Sequence, residues 1–255
     1  MPKKVVVVGS GNAALSAGIA ALEKGANVVI YEKADKKMAG GNTKYTAGAM
    51  RFSYENGNQL LDLLKHPDDN RIKDTDFGTY TNEKFSLDLL NFNDGRPLSP
   101  EQNTLVSKSL ETIQWLSSHN IKFEPIYSRQ SFLKDGKHIF WGGLTLASEN
   151  EGVGLFDQEL AAFLSLGGKI HYNSPVTKLI FQNKKVSGVL VNNKSVEADA
   201  IVLASGCFEA NDELRKLFIG DDWLKAKVRG TPNNTGDGLK MALDIGAIKH
   251  GLFDG

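Results

Sequence analysis

The stretch Lys3-Lys4-Val5-Val6-Val7-Val8-Gly9-Ser10-Gly11-Asn12-Ala13-Ala14 decides how the rest of the chain is read. Its four valines form a continuous β-branched run, which suits a strand buried on both faces of a parallel sheet. The run leads directly into Gly9-Ser10-Gly11. Ala14, Leu15, Gly18, Ile19 and Leu22 then recur at the spacing of one helix face, and Gly25 stands where a left-handed C-terminal cap belongs. A second apolar run, Asn27 to Tyr31, follows and ends at Glu32. The spacing predicts a βαβ unit with a right-handed crossover in a parallel sheet.

Gly9-Ser10-Gly11-Asn12-Ala13-Ala14 has the GxGxxA pattern of a dinucleotide site. Gly9 permits the tight turn, Gly11 lets the backbone approach a pyrophosphate, and Ala14 lets helix and strand pack closely. The helix start supplies N–H groups and a positive dipole end for that anion. Glu32, eighteen residues after Ala14, stands at the end of the second strand, where a carboxylate accepts hydrogen bonds from ribose hydroxyls. A 2′-phosphate there would meet like charge, which argues against NADP. The fingerprint does not choose between NAD and FAD.

Composition narrows the class. The chain has 255 residues, 41% hydrophobic and 24% charged, so it is long and apolar enough for a sizeable core and excludes disordered, collagen and low-complexity classes. Thirty basic and thirty acidic residues balance to zero, so no net field favours nucleic acid or an anionic membrane. The only cysteine, Cys207, has no partner for an internal disulfide, and the apolar N-terminal run is too short for a signal peptide or a membrane span. A reducing, cytoplasmic setting and no transmembrane segment are expected. The five histidines lack metal-ligand spacing, so no metal site is expected.

From about 51 to 150 turns and polar residues replace the compact α/β pattern, which reads as a mostly helical insertion. Its clearest element begins at Ser99-Pro100-Glu101-Gln102, with N-cap, first-turn proline and capping-box signals, and runs to about Ser118. Over 151–255 a helix near Leu155 to Leu166 precedes β-rich runs at 169–172, 176–181, 186–191 and 200–204, with a turn at Asn192-Asn193-Lys194. Asp237 is expected to cap a final helix, Gly238 to Ile245, whose Leu239, Ala242 and Leu243 face inward.

Gly40-Gly41-Asn42-Thr43-Lys44-Tyr45-Thr46-Ala47-Gly48-Ala49-Met50, placed shortly after Glu32, decides between the cofactors. This segment resembles the flavin-contacting segment of the fumarate reductase and succinate dehydrogenase flavoprotein superfamily, and Thr46 to Phe52 resembles the tricarballylate dehydrogenases in particular. Phe140 to Leu144, Ile201 to Gly206 and Arg229 to Gly238 are similar to three further motifs of that superfamily, in the same order. The resemblance implies an α/β fold with a Rossmann-like FAD-binding domain of glutathione-reductase type, with a β-rich second half. It would be one FAD-binding domain over 1–255, divided as 1–50, 51–150 and 151–255.

The resemblance also implies where FAD would lie. Glu32, followed by Lys33, would meet the adenosine ribose, and Gly9, Ser10, Gly11, Asn12, Ala13 and Ala14 the pyrophosphate. Gly40, Gly41, Asn42, Thr43, Ala47 and Gly48 would lie along the ring side. Ala204, Ser205, Gly206 and Asp237 would flank the ribityl chain, and Val176 would offer backbone groups to the adenine. Superfamily members with covalent flavin carry a histidine where this chain has Asn42-Thr43-Lys44, so non-covalent FAD is implied. Cys207 replaces a glycine of the family's ATGG pattern and reads as a small buried hydrophobe.

The expected activity is oxidation or reduction at the CH–CH bond of a small di- or tricarboxylate substrate, with an electron-transfer partner possible in principle. The chain given ends at Gly255, seventeen residues after Gly238, so the capping domain and C-terminal FAD segment of the superfamily are expected to be absent. The catalytic residues are therefore unknown, and the alternative is a truncated or split-gene FAD-binding fragment without turnover of its own. An NAD dehydrogenase using the fingerprint alone would leave the later motifs unexplained. Lys44 and Arg51 read as solvated cations, and Trp115, Phe132 and Trp141 as core or cap-facing packing.

Overall fold

The computed structural model describes residues 1–250, which fold into two compact units. One comprises Met1–Tyr45 with the chain from Phe156 onward, the other Thr46–Leu155.

In the first unit, β1 (Lys4–Val8), α1 (Asn12–Glu23) and β2 (Asn27–Tyr31) form the expected βαβ unit. The helix α2 (Glu151–Ser165) crosses the division of the chain, and from Phe156 onward it belongs to the first unit. It leads to β3 (Lys169–His171), β4 (Val176–Gln182), β5 (Lys185–Val191), β6 (Lys194–Glu197), β7 (Ala200–Leu203), α3 (Asp212–Ile219) and α4 (Asp237–Asp244). One sheet is wholly parallel, with the order β7-β1-β2-β3 and Val6 paired to both Val29 and Ile201. Central β1 buries Val6, Val7 and Val8, as its unbroken valine run requires.

The other sheet is an antiparallel meander, β4-β5-β6. Its turns place Asn183, Lys184, Asn192 and Asn193 at positive φ, the backbone of tight two-residue hairpins. The second turn returns into β6, a strand the polar Lys194–Glu197 text does not announce. Val6 and Val8 pack with Val176, Leu179, Val189, Val191 and Met241, so the two sheets and α4 share one core.

α1 buries Ala14, Leu15, Gly18 and Ile19. It ends in a left-handed cap, with Gly25 at φ 76° and the Ala26 N–H donating to the Ala21 carbonyl at 3.1 Å. The final helix departs from expectation. Gly236 is its N-cap, and Asp237 lies inside the first turn with its carboxylate directed elsewhere. Gly238 and Met241 make its buried face, while Leu239, Ala242 and Leu243 are half-buried.

The second unit holds more sheet than its sequence suggests. Two three-stranded sheets, built from Ala49–Met50, Leu146–Ser148 and Phe123–Pro125 and from Thr75–Asp76, Lys137–Phe140 and Ser131–Lys134, accompany helices Asn82–Phe92 and Pro100–Ser118. Ser99 caps the longer helix, with both bonds of the capping box present to Gln102. Phe52, Tyr54, Leu60, Ile121, Phe123 and Leu146 form its interior, where the Tyr54 hydroxyl donates to the Phe77 carbonyl at 2.7 Å. Of the three aromatics expected as packing, Trp115 is half-buried and meets His119 edge-on, whereas Phe132 and Trp141 are exposed and meet each other at a tilt of 41°. They cover each other and lie outside the core. Arg51 pairs with Asp88 and donates to the Tyr80 hydroxyl.

Candidate functional site

The sharp turn from β1 into α1 requires its glycines. Gly9 has φ 101°, and a Cβ there would lie 2.4 Å from the Ala204 carbonyl oxygen, so the loop after β7 closes directly against the turn. At Gly11 a Cβ would sit 3.3 Å from Thr43 Oγ1 and crowd the helix mouth. No side chain caps α1 at Gly11. Thr43 Oγ1 accepts the Asn12 N–H at 2.9 Å, while the Ala13 N–H has no acceptor among the described residues. That leaves a donor and the positive end of the helix dipole facing a cleft of about 220 Å³.

Glu32 forms the neighbouring wall. It is 6% exposed, and its carboxylate is held in place from two sides: Ser10 Oγ donates to Oε2 at 2.6 Å and the Ala34 N–H donates to Oε1 at 2.7 Å. Ser10 Oγ accepts in turn from the Gly40 N–H at 3.0 Å. Each carboxylate oxygen has further acceptor capacity, and Glu32 lines the cleft. Lys33 points across to the start of α4, donating to Asp237 Oδ2 at 2.7 Å and Thr235 Oγ1 at 2.6 Å. Asp237 is thereby neutralised at the rim, which is the use its carboxylate finds in place of a cap.

Of the residues singled out in the sequence, Gly9, Ser10, Gly11, Asn12, Ala13, Glu32, Lys33, Gly41, Asn42, Thr43, Val176, Ala204, Ser205, Gly206 and Asp237 line this one cleft. Ala14 is buried in the α1 contact, and Gly40 stands behind the lining at φ 111°, bonded to Ser10. Ala47 and Gly48 fall in the second unit, where the Gly48 carbonyl accepts the Ser148 N–H at 3.0 Å. Cys207 is exposed, contrary to the expectation of a buried hydrophobe. It follows Gly206 on the open side of the loop, and Phe208 turns inward in its place.

Lining residues that the sequence did not announce include Tyr31, Met38, Thr231, Asn233 and Asn234. The last three belong to the Arg229 to Gly238 segment, where the density of Thr and Asn was the available signal. Behind the lining are two carboxylates. Glu209 accepts from the side-chain amides of Asn42 and Asn234. Glu159, on the buried face of α2 between Phe156 and Phe163, is fully buried and accepts from Ser16 Oγ at 2.9 Å. Burial pushes its carboxyl up to about 8. An acid at the i+4 position between Leu155 and Phe163 on an apolar helix face was legible as an anomaly.

The donor set fits an extended dinucleotide. A free N–H at a helix start, a glycine mouth that a Cβ would crowd and a fixed carboxylate at the next strand end match a pyrophosphate flanked by a ribose. Among the described residues no group of three or more His, Cys, Asp or Glu is placed to hold a metal ion. Nor is any helix among them long and apolar enough to cross a membrane.

Comparison with known proteins agrees with this geometry. The chain is 28% identical over 305 residues to the NADH:acrylate oxidoreductase of Vibrio harveyi, covering 97% of this chain and 29% of that protein. It is 28% identical over 250 residues to a fumarate reductase (cytochrome) of Shewanella frigidimarina, covering 95% of this chain and 39% of that protein. It thus spans well under half the length of either relative. Among solved structures, an open conformation of a flavocytochrome c3 fumarate reductase superposes with a TM-score of 0.72 at 24% identity, over 97% of this chain and 41% of that one. The 3-ketosteroid delta1-dehydrogenase of Sterolibacterium denitrificans gives 0.73 at 17% identity, over 96% of this chain and 55% of that one. At such identities the likeness is one of fold. The FAD binding domain family matches residues 4–252, nearly the whole chain, and the chain belongs to that family, with FAD as its cofactor.

Proposed function

We propose that this chain is the FAD-holding part of an oxidoreductase acting at the CH–CH or C=C bond of a small di- or tricarboxylate. The observation that carries the reading is the convergence of the α1 N-terminus, Glu32 and the Ala204 to Gly206 loop on one cleft. The reaction class is supported by the two relatives whose names specify acrylate and fumarate, both carboxylates conjugated to a carbon–carbon double bond. The finer reading, a tricarballylate-like substrate, rests on the Thr46 to Phe52 segment.

FAD, when bound, supplies hydride transfer between substrate carbon and flavin. This chain's residues hold it. The Ala13 N–H and the α1 dipole bind the pyrophosphate, and Glu32 accepts from ribose hydroxyls while Ser10 and the Ala34 N–H keep its carboxylate from rotating. Lys33 and Thr235 orient Asp237 toward the ribityl side and cancel a charge that would oppose the phosphates. Val176 offers backbone groups to the adenine. Asn42-Thr43-Lys44 contains no nucleophilic histidine, so the cofactor is held without a covalent bond. Electrons would pass onward through a partner that the zero net charge does not specify, in a reducing, cytoplasmic setting.

Purified protein mixed with excess FAD and desalted should retain a flavin spectrum. A retained spectrum would justify assaying oxidation of tricarboxylates and reduction of unsaturated dicarboxylates with an artificial electron carrier. A colourless fraction from protein with native far-UV circular dichroism would refute the cofactor assignment for these residues. A yellow but inert one would refute independent turnover.

A further inference from the structure

We propose that Glu209 is a positioning residue for the cofactor, clamping Asn42 and Asn234 so that two walls of the cleft keep one fixed arrangement. The proposal rests on the FAD reading above. Asn42 lies in the short 3-10 helix Gly41–Tyr45 beside the α1 N-terminus, Asn234 lies in the loop before α4, and both line the cleft. Glu209 is set back behind them, six residues past the end of β7. The Asn234 amide donates to Glu209 Oε1 at 2.7 Å, and the Asn42 amide donates to the same oxygen. Glu209 is separated from the two asparagines by 167 and 25 positions in the chain, so one oxygen ties together three segments that are distant in sequence.

The chemistry of the groups makes the tie directional. A carboxylate only accepts, so both amide nitrogens must turn toward it. With its nitrogen committed, Asn42 presents Oδ1 to the Thr231 N–H at 2.9 Å, and both ends of that amide are spoken for. Glycines stand where a side chain would collide with these amides. A Cβ at Gly230 would lie 2.6 Å from Asn42 Oδ1, and one at Gly206 would lie 2.4 Å from Asn234 Oδ1. No lysine or arginine pairs with Glu209 among the described residues, so the amides are its principal partners. Without Glu209 each asparagine would lose its orienting acceptor, and the cleft would have to be ordered when the cofactor enters, at a cost in affinity.

The test compares wild type, Glu209→Ala and Glu209→Gln by FAD titration, by the visible circular dichroism of bound flavin and by the melting temperature without FAD. Because both amides use one oxygen, glutamine can replace the acceptor and alanine cannot. Glu209→Ala should weaken FAD binding at least tenfold and change the flavin dichroism, while Glu209→Gln should stay within threefold of wild type with a native dichroism. In the background of Asn234→Ala, the Glu209→Ala loss should shrink, because half of the clamp is already gone.

Equal losses for alanine and glutamine, or an alanine variant that binds like wild type, would overturn the proposal while leaving the FAD reading intact. If Glu209→Ala does not fold, Asn234→Asp reads the same contact. It sets two carboxylates against each other and should release FAD at least tenfold more readily, and native affinity in that variant would equally overturn the clamp. A wild-type protein that takes up no FAD is the separate failure, of the reading on which this one depends.

Discussion

Replacing Glu159 by glutamine should stabilise the protein, and increasingly so as the pH rises. The carboxyl is 0% exposed, and burial lifts it from an ordinary 4.5 to about 8. Between those values the folded chain holds a proton that the unfolded chain has released. Stability is therefore greatest below about 4.5 and is lost progressively until the pH passes about 8. At about 1.4 kcal/mol for each pH unit, the loss has a ceiling of about 5 kcal/mol.

Asn12 lowers that ceiling. With its nitrogen facing Glu159, its amide donates to Oε1 at 2.7 Å and to Oε2 at 3.3 Å, favouring the ionised form. An effect of about 2–3 kcal/mol is therefore expected. Glutamine keeps the shape and accepts from Ser16 without a charge to desolvate. Urea unfolding of both proteins, followed by far-UV circular dichroism, should give matching stabilities at pH 5 and a gap that opens by pH 9. A gap that stays constant with pH, or a glutamine variant weaker than wild type at pH 9, would refute the reasoning.

Three further outcomes follow from local geometry. Glu32→Ala removes the ribose acceptor and the partner of Ser10, and should weaken FAD binding by about 1–3 kcal/mol in a fluorescence titration; unchanged affinity would remove Glu32 from the site. Gly9→Ala combines a positive φ with a Cβ 2.4 Å from a backbone oxygen, and should lower stability by about 2–4 kcal/mol in urea unfolding; a wild-type midpoint would contradict the close approach of the two loops. Ser99→Ala breaks a complete capping box and should cost about 1 kcal/mol, read as the shift in the unfolding of the second unit; no shift would mean that the helix start is held by other contacts.

The features of site and fold that the sequence announced are those whose physics is local. The Gly9 to Ala14 turn, Glu32 at the end of β2 and the Ser99 to Gln102 box each depend on backbone preferences and bonds within a few residues, or on one βαβ unit. The short strands of the second unit are harder to read. Segments such as Ala49–Met50 and Thr75–Asp76 have too few residues for a period to show, and become strands only because distant segments pair with them. Cys207 departs from expectation for a related reason. Its residue type favours burial, but the loop after β7 turns Phe208 inward and leaves the thiol outside.

By itself, the sequence determined the order of strand, turn and helix that makes a dinucleotide site, the acid that completes it, and the family to which the chain belongs. Only the tertiary structure decided which carboxylate does what. Lys33 meets Asp237 across 204 positions, Ser16 meets Glu159 across 143, and Asn42 meets Glu209 across 167. A buried or half-buried polar group must be satisfied wherever folding brings a partner, and no periodicity along the chain encodes a meeting of that kind.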